Sequence, residues 1–486
     1  MDENRPNLQK VLKPHWVWAI ALGSSIGWGA FVQPANWLEM AGPLGVMIGF
    51  TIGACLMMII AVSYGFLIKE FPVSGGEFAY TFIGLGRTHA FIAGWFLTLG
   101  YICIVALNAS ALSLMIKFVY PTFVERLPLY EIANWNVYVP EILIAIVSLS
   151  IFAYYNIKGM QFTGRLQFIF CVVMIVSILA LTFLVGFSPV TEFDNLKPFF
   201  SPQQVTLASI LSIVAIAPWA YVGFDNVPQV AEEFNFSSKK AFGLIIMALL
   251  ASALLYNLMI YITAMAQPWL NLVEQQYEWG TAVAVQSVLG NFGIVLLVSA
   301  LCMGIFTGLN GFIISASRLL YSMSRAKILP RAFSILHPKF NTPYISILIT
   351  VGIAMISPWF GREVLLWVVD MSSIGVSIAY FYTCYTAFKL FGWSAKAGKR
   401  KVIVISPIKK SIALLGTLLS LFFIALLLVP VSPAFLGIES RIALFAWTVI
   451  GLLFYIFKRK EYNEIPEEEL SYLILGDKYD QIKKLS

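Results

Sequence analysis

Two apolar stretches hold residue types that would do chemistry through the main chain rather than through side chains. Residues 19–34, AIALGSSIGWGAFVQP, pack Gly23, Gly27 and Gly29 into seven positions. Residues 213–233, IVAIAPWAYVGFDNVPQVAEE, hold Pro218, Gly223 and Pro228. Glycine and proline interrupt helical hydrogen bonding in runs that otherwise read as helices. A break leaves unpaired carbonyls at the end of one half-helix and unpaired amides at the start of the next, partially negative and partially positive respectively. In the first stretch the carbonyls fall near Ser24–Ile26 and the amides near Gly27–Gly29. In the second the carbonyls fall near Trp219–Val222, Ala220 included. A small zwitterion, with one ammonium and one carboxylate, matches both kinds of end and points to an amino acid as cargo. The same glycines also suit close packing of two helices, and spacing alone leaves that reading open.

The surrounding chain is built to span a bilayer. Of its 486 residues 59% are hydrophobic and 12% charged, against about 25% charged in soluble domains, so a soluble enzyme could not cover its own surface. Disorder is excluded by an aromatic content of 15%. Apolar runs long enough to cross fall at 15–37, 42–68, 89–118, 137–157, 164–188, 204–231, 241–265, 291–322, 343–360, 364–391, 409–430 and 440–457. The fold expected is an all-α membrane protein of twelve transmembrane helices. The interrupted helices are the first of each of two five-helix halves, 15–188 and 204–391, which is the sequence pointer to an inverted-repeat transporter. Residues 409–457 add two further helices. Residues 1–14 and 459–486 form short tails, and no cleavable leader is expected. Short interfacial helices are expected in the second half of the 69–88 linker and after Arg318.

Orientation follows from the basic residues. With the N-terminus inside, 27 of the 32 Lys and Arg fall in inner loops and tails, including five from Arg318 to Lys339. Both termini are therefore expected in the cytoplasm. Dispersal of these residues over short loops argues against nucleic acid as a partner despite the charge of +7. Cys55, Cys103, Cys171, Cys302 and Cys384 lie in apolar runs and read as buried thiols rather than a disulfide set. His15, His89 and His337 are too scattered for a metal site, and no phosphate loop or nucleophile–base motif is present. The sequons at Asn108 and Asn235 fall in a span and an inner loop. A bacterial inner membrane suits the short tails.

At these residues the chain resembles the amino acid–polyamine–organocation (APC) superfamily of amino acid permeases. The matching stretches are GSSIGWGAFVQP, then FPVSGGEFAYTFIGLGRTHAFIAGWFLTLGY from residue 71, PWAYVGFDNVPQVAEE, and LNGFIISASRLLYSMSRAKILPRAFSILHPKFNTP. The resemblance covers nearly the whole chain. It implies a LeuT-type five-plus-five inverted repeat with two C-terminal helices. It also implies a substrate carboxylate on the N–H groups of Trp28 and Gly29, within the Gly27–Gly29 turn. The substrate amine would meet the carbonyls of Ser25, Trp219 and Val222, with Trp219 as an aromatic gate. Trp28 departs from the smaller residues of many relatives; either it shrinks the cavity for a small substrate or it packs into protein.

Coupling is read from ionisable and hydroxyl groups near the breaks. Relatives often place a Lys in the fifth helix, where this chain has Met174. A sodium site would draw on carbonyls of Gly23 and Ile26 with Thr307, flanked by Gly304 and Gly308. Asp225 matches an acidic position in relatives and either cycles a proton or caps the second half of its helix. Asp370 carries the same two readings. Asn108, Asn310, Ser372 and Ser373 could face cargo or bond between helices. The function expected is a secondary transporter of amino acids, small ones favoured, by alternating access. Symport and exchange both stay open, with no cofactor beyond Na+ or H+ as coupling ion and the oligomeric state undecided. The alternatives are an organic amine or polyamine transporter and a non-transporting amino acid sensor.

Overall fold

The fold is that of a computed structural model, which describes residues 5–132, 135–203, 205–361, 364–390, 407–430, 432 and 434–476. Residue 204 and residue 391 at the ends of the expected second half, Arg362, the rest of the basic loop to 406 and the tail from 477 lie outside the described residues.

Among the described residues the elements are helices apart from one hairpin. It opens with α1 (Pro14–Ser25), the single turn α2 (Gly29–Val32), and α3 (Pro34–Glu70). Next come α4 (Gly76–Leu85), α5 (Arg87–Val119) and the turn α6 (Pro121–Val124). Strands β1 (Pro128–Ile132) and β2 (Trp135–Tyr138) pair antiparallel, with Tyr130 opposite Val137. This hairpin is a departure from the all-α expectation, small enough to leave the class unchanged. It is anchored by Lys117, whose ammonium lies 3.1 Å from Glu141 and 4.0 Å from the Trp135 ring centre.

Helices α7 (Val139–Ile157) and α8 (Met160–Gly186) follow, then an interrupted segment of α9 (Thr206–Ala215), α10 (Ala217–Ala220) and α11 (Asn226–Gln229). Beyond it lie α12 (Ala241–Ala266), the short α13 (Trp269–Glu274), α14 (Gly280–Arg325) and α15 (Tyr344–Ala354). The chain closes with α16 (Val364–Leu390), α17 (Pro407–Leu428), α18 (Ile438–Glu464) and α19 (Glu467–Leu475).

Among the described residues nine helices are long and apolar enough to cross a membrane: α3, α5, α7, α8, α12, α14, α16, α17 and α18. The stretches that fall short of that length are α1 with α2, the α9–α11 segment, and α15, each cut by a break or an early turn. The outer surface is inverted relative to a water-soluble protein. Phe183, Leu207, Val295 and Phe457 lie exposed on it, as a hydrocarbon surrounding allows. Polar groups sit inside, and several pair across helices. Gln167 on α8 donates to Ala19 O (3.2 Å) and Thr307 O (3.1 Å), while Asn310 donates to Gln167 Oε1 (2.8 Å). The protein is therefore a multi-pass membrane protein.

Several boundaries shift for identifiable reasons. Helix α3 starts at Pro34, inside the first expected span, and kinks at Gly42. That glycine has φ +69°, and a Cβ there would lie 2.6 Å from the Phe200 carbonyl carbon. Helix α14 begins eleven residues before the expected span and bends at Gly290 (φ +58°). It also runs on to Arg325, so Arg318 and Arg325 are buried helical residues, not members of a basic loop. Cys55 is a second correction: it faces outward, while Cys103, Cys171 and Cys384 are buried.

Those two arginines close the end of the molecule that carries both termini. Arg318 Nε donates to Glu233 Oε1 at 2.9 Å. Arg325 meets Glu232 at 3.0 Å, and Arg5 of the N-terminal segment meets the same carboxylate at 2.9 Å. Burial opposes the Glu232 charge, yet Arg325 and Arg5 hold its carboxyl below the ordinary range. The main chain joins in: Leu12 N donates to Glu233 O (2.9 Å), and Asn235 N to Leu12 O (2.9 Å). Arg5 Nε also reaches Leu473 O of α19 at 3.0 Å, and Lys327 pairs with Glu469 of that helix. Because Arg318 and Glu233 are both almost fully enclosed, Arg318→Ala strands a buried carboxylate. A loss of about 3–5 kcal/mol is expected, read as a lower melting temperature in detergent, with Glu233→Gln added to the variant restoring part of it.

Candidate functional site

The site is where two interrupted helices meet. Helix α1 stops at Ser25, because Ile26 leaves helical geometry (φ −103°, ψ 86°), and α2 restarts at Gly29. Among the described residues nothing accepts from the amides of Gly27, Trp28 and Gly29, whereas Ala30 N already donates to Gly27 O. In the partner segment the chain turns over residues 221–225 between α10 and α11. Gly223 makes that turn at φ +133°, and a Cβ on it would fall 2.6 Å from Ser25 N. Only glycine lets the two breaks touch this closely.

Polar bonds lock the junction. Ser25 Oγ donates to Ala21 O (2.9 Å) and faces Tyr221 O (3.2 Å). The Tyr256 hydroxyl of α12 shares its proton between Ser25 O (3.1 Å) and Ala220 O (3.0 Å), one carbonyl from each broken segment. Sequence reading missed Tyr256, since a single tyrosine in an apolar span carries no spacing signal.

Between the breaks lies a cavity of about 20 Å³ lined by Ser24, Ser25, Gly27, Trp28, Gly29, Ile104, Leu107, Asn108, Trp219, Val222 and Tyr256. That is room for about one water, so this conformation is closed around the site. Asn108 Nδ2 is spent on Ile104 O (2.9 Å), while its Oδ1 is buried without a partner and lies near Gly27. Trp219 lies over Gly29, where a Cβ would come within 2.3 Å of its ring. Ile26 and Ala220 stand outside the lining: the Ile26 carbonyl turns toward Gly304, and that of Ala220 is bound by Tyr256. Ile104, which sequence reading did not single out, lies one turn before Asn108 on the same face of α5, and Leu107, also missed, lines the cavity beside it.

A vestibule of about 430 Å³ lies on the side away from the termini, lined by residues such as Leu114, Lys117, Glu125, Glu278 and Trp279. Trp28 borders both the vestibule and the central cavity. It is the partition between them.

The coupling candidates are placed less evenly. Thr307 Oγ1 donates back to Met303 O and Gly304 O, both at 2.9 Å. Gly23 is pressed against the same threonine: a Cβ there would lie 2.8 Å from Thr307 Cβ. Met174 packs by Gly304. Asp225 lies fully buried below the cavity; its Oδ1 accepts from Gly223 N (2.7 Å) and its Oδ2 from Tyr101 Oη (2.9 Å). It bonds back into the turn and across to α5, without a side-chain cap on α11. Asp370 ties α16 to the start of α18 through Ser440 Oγ (2.7 Å) and Gly437 N. Asn310 bonds Gln167 and Asn156, in the network linking helices.

A polytopic helical protein with a closed central cavity between two interrupted helices has the build of a membrane transporter. The chain belongs to the amino acid permease family, whose model matches residues 16–466; permeases move solutes and are not enzymes. It is 25% identical over 67% of its length to the branched-chain amino acid permease BcaP of Bacillus subtilis, 70% of which is covered. It is 25% identical over 70% of its length to the methylthioribose transporter of the same organism, with 72% covered. The aromatic amino acid transport protein AroP of Escherichia coli K12 is 24% identical across 94% of this chain and 97% of its own.

The contact at Gly223 sets a prediction. Gly223→Ala adds a methyl into Ser24 and Ser25 at a left-handed φ, so a stability loss of about 1–3 kcal/mol is expected. Gly243→Ala, whose Cβ would meet nothing within 4 Å, is the control in the same melting assay and leaves the transition in place.

Proposed function

We propose that this chain is a secondary transporter that moves amino acids across the cell membrane by alternating access. The observation that carries this reading is the junction of the breaks: unpaired amides of Gly27–Gly29 and the carbonyls beside Ser25 and Val222 face one cavity, closed by Trp28 and Trp219. A carboxylate on those amides and an ammonium against those carbonyls use both ends of the dipoles. BcaP and AroP, which by name move amino acids, support it. None of the residues lining the cavity is acidic, which weighs against a cargo with ammonium groups alone. Within this reading the interrupted helices and α15 complete twelve crossings, and the two breaks head the halves of a LeuT-type five-plus-five repeat.

The excess of basic residues at the end bearing the termini supports placing that end in the cytoplasm of a bacterial cell, and the vestibule then faces outward. Trp28 and Trp219 leave little volume, which favours a small amino acid. For sodium, the Thr307 hydroxyl is turned to its own helix, which makes a weak ligand.

The test is a thermal-shift screen of purified protein against amino acids and amines, followed by counterflow in liposomes. A ligand at a hundredfold excess over its Kd raises stability by about 2.7 kcal/mol. Shifts with a small zwitterionic amino acid, abolished by esterifying its carboxyl group, are expected. Shifts confined to amines that lack a carboxylate would overturn the assignment. Trp28→Ala is expected to admit larger side chains in the same screen, and an unchanged ligand ranking would remove Trp28 as the determinant of size.

A further inference from the structure

A second group of buried ionisable residues lies outside the substrate cavity. Glu77, in the first turn of α4, is fully buried, as is Asp225. The two carboxyls are set in opposite surroundings. Asp225 accepts from a backbone amide and a phenol, donors that suit a charged carboxylate. Glu77 Oε2 accepts from the neutral amide of Gln229 at 2.5 Å, its own amide and the Tyr64 hydroxyl lie close to the carboxyl, and Oε1 is buried without a bond of good geometry. Among the described residues no Lys or Arg forms an ion pair with it; the nearby arginine of α14, Arg318, is paired with Glu233.

The groups facing Glu77 come from every element around it. They are Asp225, Tyr64 of α3, Tyr80 of its own helix, Tyr101 of α5 and Tyr380 of α16. All are acids, none a base. The Tyr380 hydroxyl, fully buried and without a partner, belongs to a ring 6.1 Å from Tyr64 and 5.5 Å from Phe224. Burial, with the Asp225 charge adding to it, pushes the Glu77 carboxyl well above the usual range, against its own amide, Tyr64 and Gln229. Where two carboxyls share one enclosure, the one with the weaker donors holds its proton more readily.

We propose that Glu77 is a proton-binding site, neutral in this conformation, and that its proton is the ion coupled to transport. This rests on the transport reading above. Gln229 Nε2 donates to Glu77 and so ties α4 to α11, beside the break that forms the substrate cavity, and with the acid neutral no charge repulsion opposes that tie. When the proton leaves for water, the carboxylate that remains shares an apolar enclosure with Asp225, and repulsion favours moving α11 away. Proton occupancy thus favours the conformation closed at the end bearing the termini, and proton release favours opening it.

Full-length protein in liposomes, with a pH dye in the lumen, is the test. Wild type is expected to acidify or alkalinise the lumen when the amino acid from the screen is added. Glu77→Gln, which mimics the neutral acid, is expected to lose that proton movement and its pH dependence while keeping counterflow exchange. Glu77→Asp should keep the movement with a shifted pH profile. Undiminished proton movement in Glu77→Gln overturns the proposal. So does infrared spectroscopy of the wild type at neutral pH if it shows no buried protonated carboxyl band that Glu77→Gln removes; this readout needs no substrate and no transport activity, only a folded variant, which its melting transition checks. Absence of counterflow in wild type with every amino acid would instead sink the transport reading, leaving the infrared result to judge Glu77.

Discussion

Gly223 stands against the main chain of Ser24 and Ser25 with room for a hydrogen atom and no more. Two helices that each lose their hydrogen-bond ladder would ordinarily be intolerable in a hydrocarbon layer. Here each break shields the other. Ser25 reaches Tyr221, Tyr256 bridges Ser25 and Ala220, and Asp225 takes the amide of Gly223. Among the described residues several groups around the cavity are left unbonded: the amides of residues 27–29, Ser24 Oγ and Asn108 Oδ1. A cargo that satisfies those groups would replace the missing bonds, which is what the proposed function asks of this cavity.

The rest of the molecule isolates that junction unequally from its two ends. Toward the termini lie the Glu232–Arg325–Arg5 cluster, the Glu233–Arg318 pair, the main-chain bridge at Leu12 and the docked helix α19. Toward the opposite end stands mainly Trp28, between the cavity and an open vestibule. A thick ionic seal on one side and a single indole on the other leave the cavity far more deeply enclosed toward the termini than toward the vestibule. Ion pairs suit a seal that must break and re-form, because water entering from that end solvates the charges as they separate.

Much of this was legible from residue types. Nine of the apolar runs stand as helices long enough to span among the described residues; the two interruptions and the cluster Ser25, Gly27, Trp28, Gly29, Trp219 and Val222 follow from glycine, proline and hydropathy, and the structure brings those six residues to one cavity. Boundaries at Pro34 and Gly290 were misjudged because a kinked helix and a loop look alike when glycine and proline punctuate apolar runs. Arg318 and Arg325 read as loop residues because their partners, Glu232 and Glu233, lie some 90 positions away in the chain. Glu77 passed unnoticed within SGGEFAY, since a lone glutamate in a short linker reads as solvated.

Composition and periodicity alone determined that this chain lives in a bilayer, how its apolar mass is divided and where its backbone is cut, because these depend on neighbours within a few residues. Only the tertiary structure decided which groups those cuts expose to one another: Tyr256 to two carbonyls, Trp219 to Gly29, Gln167 to α1 and α14, and Glu77 to Asp225. Each of those pairings joins segments far apart in the chain, and no local pattern encodes the partner that packing supplies.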